Sequence, residues 1–176
     1  MIIERLQDRV FHKLHYSALP FKDKDKHLTH SAEMYDQMFR TMIALKDEGI
    51  SMIFNRSHLG ETVYAPLYRG YSGDFVFDIE KRHINHLRDQ IYLITLVNDP
   101  DLILSRDDGK SFYKDREGVQ AEVDGFVRAH RMSGIKNKLL LDVKTMGPEE
   151  ASNIIVQFLE ESQPNYNKNQ TEIEFQ

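Results

Sequence analysis

Eight consecutive residues, Gln90 to Val97 (QIYLITLV), are almost wholly apolar and run straight into Asn98-Asp99-Pro100. The run is strand-length and does not alternate, so it reads as a strand covered on both faces, which belongs in a parallel sheet between helices. Shorter runs repeat the theme: Ile50 to Phe54 (ISMIF), Lys138 to Val143 (KLLLDV), and Arg9 to Tyr16 (RVFHKLHY) with Val10, Phe11, Leu14 and Tyr16. Between them lie helix-compatible segments. From His27 to Glu48 the apolar residues Leu28, Met34, Met38, Ile43 and Leu45 recur at helical spacing, and Gly49 stands where a C-cap glycine belongs. His58 to Tyr68, Phe75 to Arg88, a short DLILSR segment, Gly118 to His130 and Pro148 to Glu161 follow, the last opened by Pro148 and the Glu149/Glu150 pair. Residues 2 to 7 read as the end of a helix, Ser17 to Lys26 with Pro20 as a loop, and GYSG at Gly70 to Gly73 as a turn. Strands alternating with helices predict an α/β three-layer sandwich with a mainly parallel sheet. One domain spans residues 1–161, and the Asn/Gln-rich segment 162–176 reads as a loose tail.

Composition narrows the functional classes. No Cys is present, which removes disulfides, thiolate nucleophiles and Cys-based zinc sites. The formal net charge of −5 argues against non-specific coating of nucleic acid. No apolar stretch approaches the roughly 20 residues needed to span a bilayer, and MIIERLQDRVFHK lacks a signal-peptide layout, so a cytoplasmic location is expected. The histidines form i,i+3 pairs (His27/His30, His83/His86) without a carboxylate at zincin spacing, and read as surface or capping residues rather than metal ligands. Ser57, Ser72 and Ser105 lack a GxSxG elbow, which weakens a hydrolase reading.

In a parallel sheet, ligands sit at the carboxyl ends of the strands. The residues there are His15-Tyr16-Ser17, Asn55-Arg56-Ser57, Asn98-Asp99 and Asp142. Arg56 follows an apolar strand at once, and a planar guanidinium there can fork two phosphate oxygens. The plainer role is an ion pair with a helix-terminal carboxylate. Two further cationic groups accompany it: Tyr68-Arg69, and the segment carrying Arg106, Lys110, Lys114 and Arg116 with Gly109 and Ser111. A basic, flexible loop between helices suits covering a polyphosphate. Asp107, Asp108, Asp115 and Glu117 make the same segment nearly neutral, as a solvated loop would be.

The run Phe54 to Arg69 (FNRSHLGETVYAPLYR) resembles the Asp-Arg or Glu-Arg-Ser segment after the third strand of P-loop nucleotide kinases of the thymidylate kinase and deoxynucleoside kinase type. Ile91 to Arg106 (IYLITLVNDPDLILSR) resembles their fourth strand and lid helix, and Glu117 to Leu159 their remaining helix, strand and closing helix. The resemblance covers roughly residues 9–160 and implies transfer of the ATP γ-phosphoryl, with Mg²⁺, to a (deoxy)nucleoside monophosphate such as dTMP or to a nucleoside. It implies that Arg56 and Arg106 act catalytically, and that Tyr16, Gln37, Arg40, Arg56, Tyr64 and Arg69 bind substrate. It places Arg106, Lys110 and Arg116 on a lid at about 100–117, and Glu61 or Asp99 near Mg²⁺. The partner is a nucleotide or nucleoside, with nucleic acid as a substrate only, no membrane, and room for a homodimer. A kinase of a hydroxyl on nucleic acid or a modified base, and a non-catalytic nucleotide-binding scaffold, are the other readings of the same fold.

Two departures stand out. Asn55 replaces the acid that the pattern has before its Arg. No GxxxxGK[ST] occurs, because the glycines at 49, 60, 70, 73, 109, 118, 125, 134 and 147 never begin it, so the cradle of backbone N–H groups and its Lys are lacking. If Arg9 to Tyr16 is the second strand, the first strand and phosphate loop are absent from this sequence, and that strand belongs in the middle of such a sheet. The expectation is a shortened kinase-like domain with doubtful activity.

Overall fold

The computed structural model describes residues 11–15, 22–107, 109 and 113–162, the first five as backbone. Strand β1 is Phe11–His15 and β2 is Ser51–Asn55, paired in parallel from Phe11 opposite Ser51 to His15 opposite Asn55. Helix α1, Lys24–Asp47, joins them. It begins inside the segment read from sequence as a loop, because the Asp23 carboxylate accepts from the N–H groups of Asp25 and Lys26 at 3.0 and 3.1 Å and caps the first turn. It ends in a Schellman motif: Gly49, at φ 72°, donates to the Lys46 carbonyl and Ile50 to that of Leu45.

Helix α2 is Leu59–Tyr64, and a π turn over Ala65–Arg69 continues it. Pro66 has no N–H with which to extend an α ladder, so the chain widens there. Then come α3 (Phe75–Leu87), β3 (Tyr92–Val97), α4 (Pro100–Ser105), α5 (Arg116–Met132), β4 (Asn137–Asp142) and α6 (Pro148–Glu161). Asp99 caps α4 through Asp101 N, and Asp115 caps α5 through Gly118 N. Lys138 closes the other end of α5, donating to the carbonyls of His130, Arg131 and Ser133.

β3 and β4 pair in parallel, Tyr92 opposite Asn137 through Val97 opposite Asp142. A single sheet was expected; among the described residues the four strands form two separate parallel pairs, β1–β2 and β3–β4. One helix lies against both. On α3, Val76, Ile79 and Leu87 pack with Tyr35, Met38 and Phe39 of α1 and with Phe54 of β2 and Ile91. From the same helix, Phe77 and Ile84 pack with Leu93 of β3, Leu59, Ala129, Ile135 and again Ile91. A third cluster, Leu141, Ala151 and Ile155 with Ile94 and Leu139, covers the other side of β3–β4. The run that looked buried on both faces is only partly so: Leu93 and Thr95 are buried beneath α5, whereas Leu96 is 53% exposed. No helix among the described residues is long and apolar enough to cross a membrane.

Candidate functional site

The carboxyl end of β2 carries one of the two non-glycine residues at positive φ among the described residues, the other being Arg88 at φ 43°. Arg56 sits at φ 74°, a left-handed conformation that costs a non-glycine residue roughly 1–2 kcal/mol. Its side chain is exposed and makes no hydrogen bond or ion pair among the described residues. The ion pair that would make it an ordinary structural arginine is therefore not formed there. Ser57 Oγ then accepts from Leu59 N and α2 begins.

Behind Arg56 the chain folds back on α2. Gly70, at φ 70°, ends the π turn. Gly73 approaches so closely that a Cβ on it would stand 2.1 Å from the Glu61 carbonyl oxygen. This close return brings Arg69 and Tyr71 onto the Glu61 side chain, which is 1% exposed. Arg69 Nη1 donates to Glu61 Oε2 and Tyr71 OH to Oε1, each at 2.5 Å. From α1, His27 Nδ1 lies 2.8 Å from Tyr71 OH, and Ser31 Oγ lies 3.2 Å from the same nitrogen. His27, Ser31 and Tyr35 fall at i, i+4 and i+8, so one face of α1 supplies all three. Burial raises the Tyr35 phenol above its ordinary range, and Glu61 and Tyr71 add to this while Arg69 and Arg56 oppose it. Arg56 stands just before α2, and Arg69 is held against Glu61 of that helix, so both guanidinium groups belong to the surroundings of one short helix. Burial, assisted by Arg69, lowers His27 below its ordinary value, so the ring is neutral at neutral pH.

Aromatic rings line the adjoining side. Tyr64 and Tyr68 stack with centroids 5.8 Å apart, and Tyr64 meets Phe126 at 5.7 Å and Tyr68 meets Tyr113 at 5.6 Å. Tyr68 OH donates to Glu122 of α5. Burial and that bond raise its phenol, so Tyr68 stays protonated.

Of the residues singled out from sequence, Arg56, Glu61, Tyr64 and Arg69 come together here. Gln37 and Arg40 do not. They are exposed on another face of α1, Gln37 donating to Thr41 and Arg40 to Asp36, and Asp36 turns toward Arg82 and His83 of α3. Tyr16 and Lys110, like the expected helix end at 2–7 and the tail beyond 162, lie outside the described residues. Arg106 ends α4 with its N–H on the Ile103 carbonyl, and its exposed side chain makes no hydrogen bond or ion pair among the described residues. Arg116 pairs with Asp101 across the α4–α5 connection at 3.3 Å. Asp99 receives Lys144 Nζ at 2.6 Å, which holds its carboxyl below the usual range. Neither Glu61 nor Asp99 has company for a metal: no group of three His, Asp or Glu among the described residues could hold one. The donor set for Mg²⁺ is not assembled by these side chains.

The histidines expected at the surface are partly core. His27, His58 and His130 are buried, each with a polar partner. Sequence reading also missed Glu80, whose buried carboxylate accepts from His58 Nε2, Ser133 Oγ and Gly134 N at 2.8, 2.7 and 2.5 Å. It joins three segments that no local spacing connects.

No protein-family model matches the chain, and no curated protein matches it. Among solved structures, the YorR protein of Bacillus subtilis, crystallised in complex with phosphorylated GDP, is similar in fold: TM-score 0.65 over 94% of this chain and 88% of that one, at 14% identity. The chain thus has a mixed α/β fold with parallel strands, like that of a protein solved with a nucleotide.

Proposed function

We propose that this protein binds a nucleotide at the carboxyl end of β2, as the acceptor side of a nucleotide kinase-like domain. The observation that carries this is Arg56: a strained, exposed guanidinium with no partner among the described residues, at the strand end where parallel sheets bind ligands. Structure that holds a long cation in a costly conformation without pairing it is typical of a site that completes itself with an anion. Arg69 and the Tyr64–Tyr68 platform would receive the rest of a nucleoside phosphate, the rings by stacking on the base. The fold shared with a protein crystallised with phosphorylated GDP supports the ligand class.

Phosphoryl transfer from ATP to a (deoxy)nucleoside monophosphate, the finer reading, requires phosphate-loop donors that these 176 residues lack. Among the described residues β2 and β3 share no ladder, which fits a sheet with a further strand between them. The missing motif equally favours a second reading, nucleotide binding without catalysis. Transfer of labelled phosphate from ATP to any of the four deoxynucleoside monophosphates would separate the two.

Binding is tested by calorimetric titration with those four monophosphates. At least one binds, and Arg56→Ala weakens it about 10- to 100-fold, the value of one or two charge-assisted hydrogen bonds. Equal affinity in the variant would refute the role of Arg56.

A further inference from the structure

The Glu61 carboxylate is buried, yet its partner Arg69 keeps 27% of its side chain exposed. Charges are seldom buried for stability alone, since apolar replacements often do as well. The hydrogen bonds around Glu61 can be directed. An ionised carboxylate only accepts, so the single Tyr71 proton goes to Oε1. The Tyr71 oxygen must then accept from His27, which makes Nδ1 the protonated nitrogen of that ring. His27 in turn is fixed on α1 beside Ser31, whose side chain is fully buried. A one-way series from His27 through Tyr71 to Glu61 therefore meets Arg69 donating from the other side, and each member except Arg69 is more than nine-tenths buried.

We infer that Glu61 is a positioning residue: anchored by Tyr71 and His27, it fixes the Arg69 guanidinium so that the remaining N–H donors present a set geometry to a nucleotide phosphate beside Arg56. This deepens, and rests on, the nucleotide-binding reading above. A free Arg side chain loses rotamer entropy when it is ordered, and a ligand that meets it already ordered does not have to supply that ordering. Arg69 has five donors; Glu61 takes Nη1 and Tyr71 also hydrogen-bonds the guanidinium, and the rest are for a ligand on its exposed side.

The alternative, an ion pair that only holds the turn together, predicts different numbers. A double-mutant cycle on the full chain compares Glu61→Gln, Arg69→Met and the pair, with dissociation constants from titration with the tightest-binding deoxynucleoside monophosphate. Positioning predicts that Glu61→Gln weakens binding about 10-fold and adds nothing once Arg69 is Met. Unchanged affinity, additive effects, or tighter binding caused by an unneutralised Arg69 would each overturn the inference. Should Glu61→Gln not fold, Tyr71→Phe removes only the proton given to Oε1 and is expected to weaken binding about 3-fold; unchanged binding there overturns it too. A second readout needs no nucleotide: in ¹⁵N spectra the Arg69 guanidinium rotates slowly in the wild-type protein and freely in Tyr71→Phe or Glu61→Gln. A wild-type chain that binds no mononucleotide refutes the functional reading, whereas free Arg69 rotation in the wild type refutes the positioning.

Discussion

At the residue scale, Arg56 separates two quantities that usually move together. Arg56→Ala removes the guanidinium but leaves a Cβ in the left-handed region, and Arg56→Gly removes both. Nucleotide affinity falls equally in the two variants. In urea titration the Gly variant is expected to be about 1 kcal/mol more stable than the Ala variant, because glycine alone adopts φ 74° without a steric penalty. Equal stabilities would show that the backbone is not strained there. This residue was legible in the sequence, since a cation directly after an apolar strand can only project from the strand end. Nothing in the spacing of Glu61, Arg69 and Tyr71 announces that they meet, because the meeting depends on the close return at Gly73.

At the scale of elements, two contacts decide how α1, α2 and α3 sit around that site. A Cβ at Gly73 would collide with the backbone of α2, so Gly73→Ala should destabilise by about 1–3 kcal/mol. Gly60→Ala is the control, as its Cβ would meet Tyr64 at an ordinary 3.7 Å, and is neutral or stabilising by up to about 1 kcal/mol. Asp36 joins α1 to α3 through His83 at 2.8 Å and Arg82 at 3.3 Å. The His83 bond first, then that from Arg40, takes its carboxyl from 3.8 down to about 2. A depressed carboxyl stabilises the fold above its unfolded value, and this contribution is lost as pH falls from about 4 through about 2. Thermal melts of Asp36→Asn should lose that part of the acid dependence; an unchanged profile would contradict it. Helix existence was legible throughout, but helix faces were not. Gln37 and Arg40 lie on the helix expected to read a base, yet α3 takes the side of α1 that Asp36 occupies, and the side that carries His27 and Ser31 is buried against Tyr71.

For the whole molecule, the two parallel pairs matter most. The strand positions followed from apolar runs, and the connections from the lengths between them; that the ladder is broken between β2 and β3 did not follow from any run taken alone. In a parallel strand alternate N–H groups point to opposite edges, so a strand paired on one side leaves every second amide without a ladder partner. Among the described residues the ladders pair these strands on one edge only, so hydrogen exchange is expected to alternate between slow and fast along residues 51–53 and 93–97. Slow exchange at every amide of both strands would mean that the ladder is complete.

The central proposal is one of place, that a nucleotide binds at the carboxyl end of β2, against Arg56. Another cleft, lined by Lys46, His86, Arg88 and Gln90, opens at the opposite, amino ends of the strands and is also cationic. Titration of ¹H–¹⁵N spectra with a deoxynucleoside monophosphate, dTMP first, distinguishes the two. Saturable shifts at residues 55–58 and 64–71 are the predicted result; shifts centred on Lys46 and residues 86–90, or none with any of the four monophosphates, would contradict it.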